Sequence, residues 1–154
     1  PFYRSFEGDS RFRIEIADGI KYVQQQNSRF DIIIVDSTDP VGPAAGLFSE
    51  SFYRDCFRAL KDDGILVTQS ESPILHTQLI KEIKSSIERV FPISMVYTVP
   101  VPTYPSGYWS FTAGSKRYEP SQPLREPDFE TRYYTSQIHR ASFVLPKFLR
   151  DAGI

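Results

Sequence analysis

The sequence predicts an α/β fold, an open and mostly parallel sheet closed by a hairpin-like antiparallel final strand. Three observations predict it. Strand and helix patterns alternate along the chain, as they do when helices cross over between parallel strands. Phe30-Asp31-Ile32-Ile33-Ile34-Val35 is a nearly continuous apolar run rich in β-branched residues, which suits a strand covered on both faces. Polar residues recur at successive strand ends, where open α/β sheets hold their ligands. A chain of 154 residues is the size of one domain.

The elements follow in order. Arg11 to Ile16 alternates charged and apolar residues, the period-two signature of a strand with one buried face. Asp18-Gly19 ends it, and Asp18 is placed to cap a short amphipathic helix carrying Ile20, Tyr22 and Val23. The apolar strand Phe30 to Val35 comes next, followed by a Pro/Gly-rich loop over Ser37 to Gly46. Ser49 is an N-cap for a helix whose Phe52, Tyr53, Cys56, Phe57 and Leu60 share one side, and Asp63-Gly64 closes it. Ile65-Leu66-Val67 restarts a strand. Leu75, Leu79, Ile80, Ile83, Ile87 and Val90 repeat at helical spacing until Phe91-Pro92 stops them. Ser94 to Val99 and Trp109 to Ala113 read as strands around a turn-rich loop over Pro100 to Gly107. A polar, Pro-rich connection over Tyr118 to Pro127 follows, and Pro146 to Ala152 reads as a C-terminal helix.

Composition narrows the function classes. Lys+Arg 18 against Asp+Glu 19 gives a formal charge of −1, so no broad positive field awaits nucleic acid or an acidic membrane. The longest aliphatic run, Ile32 to Val35, is far short of a bilayer span. One cysteine, Cys56, cannot form an internal disulfide, and with two histidines it cannot supply an ordinary zinc site. No signal-peptide pattern opens the chain, and the expectation is a soluble, cytoplasmic protein without a metal. No G-x-G-x-x-G and no P-loop is present.

The most informative segment is Asp36-Ser37-Thr38-Asp39-Pro40-Val41-Gly42-Pro43-Ala44. Two carboxylates three residues apart leave a buried strand and enter a rigid loop, so both can approach one bound molecule. Such a pair suits a diamine: one carboxylate anchors an ammonium while the other takes a proton from the attacking nitrogen. For an isolated Asp-x-x-Asp, turn capping before proline is the simpler reading. Tyr104, Gln69 and Trp109 taken singly read as packing or neutral positions, and Cys56 as core. His76 reads as a surface residue, His139 as a structural one, and Glu71 as a weak candidate for a water-mediated contact with an amine.

Taken together, the motifs resemble the spermidine synthase (polyamine aminopropyltransferase) family. The nonapeptide above resembles its first signature. Pro102-Thr103-Tyr104-Pro105-Ser106-Gly107 resembles its second, and Tyr133-Tyr134 with Ile138 to Pro146 its C-terminal one. The resemblance spans essentially the whole chain and corresponds to the C-terminal portion of the family's catalytic domain. It implies a Rossmann-like sheet of the S-adenosylmethionine-dependent-methyltransferase type, here its C-terminal half.

It also implies an activity: transfer of an aminopropyl group from decarboxylated S-adenosylmethionine to putrescine, giving spermidine and 5′-methylthioadenosine. Asp36 matches the proton acceptor, and Asp36, Asp39, Gln69 and Tyr104 match diamine-site positions. Asp18 and Gly19 match adenine contacts, and Pro43, Ala44 and Leu47 match the nucleoside wall. No cofactor or metal is implied, nucleic acid and membrane are not partners, and a homo-oligomer, dimer or tetramer, is expected.

The family's N-terminal β domain and glycine-rich nucleoside-binding half have no counterpart in these residues. The chain is therefore expected to be a partial catalytic domain, inactive alone, with an apolar flank at Phe12, Ile14 and Ile16 prone to association. Three alternatives stay open: another amine acceptor, a putrescine N-methyltransferase using intact S-adenosylmethionine, and a catalytically dead homologue serving as a partner subunit.

Overall fold

Sheet formation starts where β-branched residues are densest. In a computed structural model, in which residues 8–38 and 42–154 are described, Phe30–Val35 forms β1 and pairs in parallel with β2, Leu60–Gln69. Their register runs from Ile32 opposite Ile65 to Val35 opposite Thr68, after an irregularity next to Phe30. β3, Ile93–Pro100, and β4, Tyr108–Ser115, form the expected antiparallel hairpin, from Ile93 opposite Ser115 to Pro100 opposite Tyr108. β4 also pairs antiparallel with β2, giving the order β1-β2-β4-β3. Three strands therefore run one way, and the reversed β4 is inserted among them. The ends of β1, β2 and β3 and the start of β4 meet at one rim of the sheet.

Three helices of the described residues cover one face. α1, Gly19–Gln24, begins at Asp18, whose carboxylate accepts from the backbone N–H of Ile20 at 3.0 Å and of Lys21 at 3.3 Å. α2, Glu50–Ala59, begins at Ser49, whose hydroxyl accepts from the Phe52 N–H at 3.2 Å. α3, Thr77–Glu88, contributes Ile80, Ile83 and Ile87 to the interior. Between helices and sheet lies a core of Val23, Phe52, Tyr53, Cys56, Ala59, Leu60, Leu66, Ile83, Ile87 and Phe91. Each large side chain buried there is worth about 1.5–3 kcal/mol. Cys56 is fully buried, and desolvation pushes its thiol up to about 12, as suits an inert core cysteine. The 3₁₀ segment Gly42–Phe48 lies against α1 so closely that a Cβ on Gly46 would come within 2.7 Å of Ile20 Cδ1.

Four expectations are corrected. Residues 11–16 form no strand: Ile14 is 69% and Ile16 99% exposed. The segment has no regular secondary structure, and Arg13 and Glu15, two residues apart, pair at 3.2 Å. A strand exists by pairing, and none of the described residues offers this segment a ladder. Second, β1 is covered on one face rather than both. Ile33 and Val35 pack toward the core, whereas Ile32 and Ile34 are 58% and 73% exposed. Third, the helix expected to run through Leu60 to Asp63-Gly64 stops at Ala59, because Leu60 already pairs with Phe30. Fourth, the stretch read as a loop over Ser37 to Gly46 enters the 3₁₀ segment at Gly42. A helix the patterns had not suggested, α4, Ser136–Ser142, is capped by Thr135 and lays Phe143 on Tyr97 of β3. α5, Lys147–Asp151, closes the chain.

Candidate active site

The strand rim encloses a cleft of about 1070 Å³. Asp36 follows the last residue of β1, Gln69 ends β2, Tyr104 comes from the β3–β4 loop and Trp109 from the second residue of β4. All four line it. Glu71 and His76, from the segment after β2, line it as well.

Gln69 is the hub. Its Oε1 accepts from Trp109 Nε1 at 3.1 Å and from the Glu71 backbone N–H at 3.1 Å. Its Nε2 donates to the Ser37 carbonyl at 3.2 Å and to Glu71 Oε1 at 3.2 Å. Two acceptor positions and two N–H donors are all engaged. The ends of β1, β2 and β4 are thereby tied through a single amide. Trp109 is held edge-on against Tyr104, with ring centroids 4.7 Å apart.

Glu71 is 2% exposed, and its other carboxylate oxygen lies 3.4 Å from His76 Nδ1. Its backbone sits at φ +71°, a left-handed conformation unusual for a non-glycine residue. The Glu71 carbonyl accepts from both the backbone N–H of Ser110 at 2.9 Å and its hydroxyl at 2.8 Å, which fixes that turn. The Ser37 hydroxyl is buried in the cleft wall with no hydrogen-bond partner among the described residues. Asp36 is exposed at the open side. Burial pushes the phenol of Tyr97, another wall residue, above its ordinary value and keeps it neutral.

Chemically, the cleft offers two carboxylates, a free hydroxyl and aromatic walls, with no lysine or arginine among the described residues that line it. That combination favours a slender cationic ligand with an apolar body. Among the described residues no group of three His, Cys, Asp or Glu side chains could hold a metal ion. No helix of the described residues is long and apolar enough to cross a membrane.

The expected site residues fall in two places. Asp36, Gln69 and Tyr104 share the cleft. Asp18 and Gly19 do not: Asp18 caps α1, and Gly19 borders a separate hollow of about 380 Å³ with Arg13, Glu15 and Arg29. Pro43, Ala44 and Leu47 belong to the 3₁₀ segment, with Leu47 packed against the core. Gly46 against Ile20 brings that segment beside α1, so these two groups of residues adjoin each other. Asp39 lies outside the described residues. Sequence reasoning gave little weight to Glu71; His76 is exposed, as it was read, and also lines the cleft. A carboxylate two residues beyond a strand end was the available signal, and its burial was not.

Comparison with known proteins shows the family. Residues 3–124 match the family model described as the spermine/spermidine synthase domain. The chain belongs to this family. It is 50% identical over 145 residues to the polyamine aminopropyltransferase of Moorella thermoacetica, covering 93% of this chain and 51% of that protein. It is 52% identical over 140 residues to that of Desulforudis audaxviator, covering 90% and 51%. Among solved structures it resembles a spermidine synthase in complex with the transition state analogue AdoDATO, with a TM-score of 0.86 and 39% identity over 96% of this chain and 53% of that one. The spermidine synthase of Thermotoga maritima gives 0.83 and 40%, over 96% and 52%. The fold is thus the Rossmann-like sheet of spermidine synthases, with its last strand reversed. The chain spans about half the length of the curated relatives it matches.

Proposed function

We propose that this chain is the acceptor-binding part of an aminopropyltransferase that moves the aminopropyl group of decarboxylated S-adenosylmethionine onto putrescine. The observation that carries the reading is the cleft at the strand rim. Asp36, Gln69, Glu71 and Tyr104 converge there, and no lysine or arginine is among the described residues that line it, in a chain of the spermine/spermidine synthase family.

The chemistry follows from charge. A primary alkylammonium has a reference pKa of about 10.4 and no free lone pair until it loses a proton. Asp36, at the mouth of the cleft, accepts that proton. Asp39 and the buried Glu71 attract the ammonium that remains. The freed nitrogen attacks the methylene carbon bonded to the sulfonium sulfur, and the carbon–sulfur bond breaks. Its electron pair passes to sulfur, leaving the neutral thioether 5′-methylthioadenosine. The sulfonium is already an activated leaving group, so in-line positioning supplies much of the rate. Asp18, Gly19, Pro43, Ala44 and Leu47, adjoining one another along α1 and the 3₁₀ segment, contribute one side of the nucleoside site.

In this reading the chain alone is inactive. Asp36 is open to solvent, and the uncovered sheet face at Ile32 and Ile34 leaves the cleft unsealed. The test is a chimera in which these residues replace the matching 145 residues of the Moorella thermoacetica relative. With decarboxylated S-adenosylmethionine and putrescine it should form spermidine, whereas the 154-residue chain should not. Methylation of putrescine from intact S-adenosylmethionine, or transfer only to a different amine, would replace the reading. Turnover by the chain alone would remove its inactivity.

A further inference from the structure

Two loops meet at the mouth of the cleft, and each carries a non-glycine residue in the left-handed region: Glu71 at φ +71° and Ser106 at φ +69°. Such residues persist where the surroundings over-determine them, and they collect at functional sites. Here the two loops are fastened by one bond. Ser72, fully buried and next to Glu71, has its hydroxyl 2.7 Å from that of Ser106. The Ser106 hydroxyl donates onward to the Tyr108 carbonyl at 3.1 Å, and Ser72 accepts from the Ile74 N–H at 3.3 Å. These neighbours set the direction: Ser72 donates to Ser106. Two residues before Ser106, Tyr104 rests on Trp109.

We infer that the Ser72–Ser106 hydroxyl pair is a clasp that positions Tyr104 against Trp109, and through it fixes the aromatic wall met by the aliphatic body of the amine. Ser72 and Ser106 are positioning residues: they act through Tyr104. The clasp joins the β2 end to the β3–β4 loop, a link the strand ladder does not make. It couples the turn that buries the Glu71 carboxylate to the loop that carries the ring, so the two sides of the amine site hold a fixed separation. The consequence for the amine rests on the function proposed above. The clasp itself does not.

Trp109 is the single tryptophan, so its emission in the 154-residue chain reports directly on the Tyr104 contact. Ser106→Ala, at an exposed position, should shift that emission to the red. It should also weaken putrescine binding, titrated through the same signal, by about fivefold, the scale of one neutral hydrogen bond. Ser106→Gly should do the same although glycine is at ease at φ +69°, because the hydroxyl is what matters. Ser72→Ala should match Ser106→Ala, and the double variant should exceed neither single one. In a Tyr104→Ala background Ser106→Ala should change nothing further. An unchanged emission maximum in Ser106→Ala would overturn the clasp. So would additive effects of the two serines, or a full shift persisting without Tyr104. Should Ser72→Ala fail to fold, the Ser106 variants decide the matter. Should even the wild-type chain ignore putrescine, the proposed ligand fails while the emission comparison still judges the clasp.

Discussion

The indole Nε1 of Trp109 donates to Gln69 Oε1 across 3.1 Å, joining the start of β4 to the end of β2 just where the register Gln69 opposite Phe111 runs out. The cleft floor is thereby built from a hydrogen bond between two strands of opposite direction, at the rim where the candidate acceptor site lies.

Removing the hub should cost more than its size suggests. Gln69→Ala leaves the Trp109 N–H, the Glu71 N–H and the Ser37 carbonyl without their partner in a buried setting. A destabilisation of about 1–3 kcal/mol is expected from urea unfolding. Gln69→Glu should not rescue it, because a second carboxylate would face Glu71. A stability within error of wild type for both variants would show that the amide is not the tie described.

The core predicts an alkaline limit. Burial raises the Cys56 thiol from an ordinary 9.0 to about 12, and burial also raises the Tyr53 phenol. An acid whose folded pKa is raised contributes stability that is complete below its unfolded value and is lost as pH climbs toward the folded one. The urea midpoint should hold steady up to about pH 9 and fall above it. Cys56→Ala should lessen that fall, and Cys56 should resist a thiol reagent at pH 8 until urea is added. Rapid labelling of the folded chain would contradict the burial.

Close packing can be probed from the sheet side. A Cβ on Gly114 would lie 2.8 Å from both Ile87 Cγ2 and Phe91 Cγ, on α3 and just after it. Gly114→Ala should destabilise by about 1–3 kcal/mol through overpacking. Ile87→Val in the same chain should recover part of the loss, measured as a shift in thermal midpoint.

The uncovered edge should be adhesive. With Ile32 and Ile34 exposed beside an edge of β1 that no other described strand pairs, the chain should show a concentration-dependent mass by light scattering. Ile32→Lys with Ile34→Lys should lower it. A monomer at every concentration would mean the edge is protected.

Local chemistry was readable from sequence. Asp18 and Ser49 cap the helices their positions announced, Cys56 is core, and β3 and β4 pair around the expected loop. Non-local pairing was less so. Residues 11–16 carry a strand's pattern but find no ladder among the described residues, which alternation alone does not reveal. The antiparallel final strand was expected, but its insertion between β2 and β3 is set by tertiary pairing that the order of patterns does not reveal. The site divides in the same way. Asp36 and Tyr104 were visible through their motifs and Gln69 through its strand end, and the cleft does collect them. The engagement of Gln69 by Ser37, Glu71 and Trp109 spans residues up to 40 apart, so no local pattern carries it.

The role of Asp36 as proton acceptor is decided by steady-state kinetics of the chimera with and without Asp36→Asn. Asp36→Asn should lower kcat by about 10²–10⁴-fold, the usual worth of a positioned base, with the KM for putrescine within about twofold of wild type. An unchanged kcat, or a loss appearing only in KM, would contradict it.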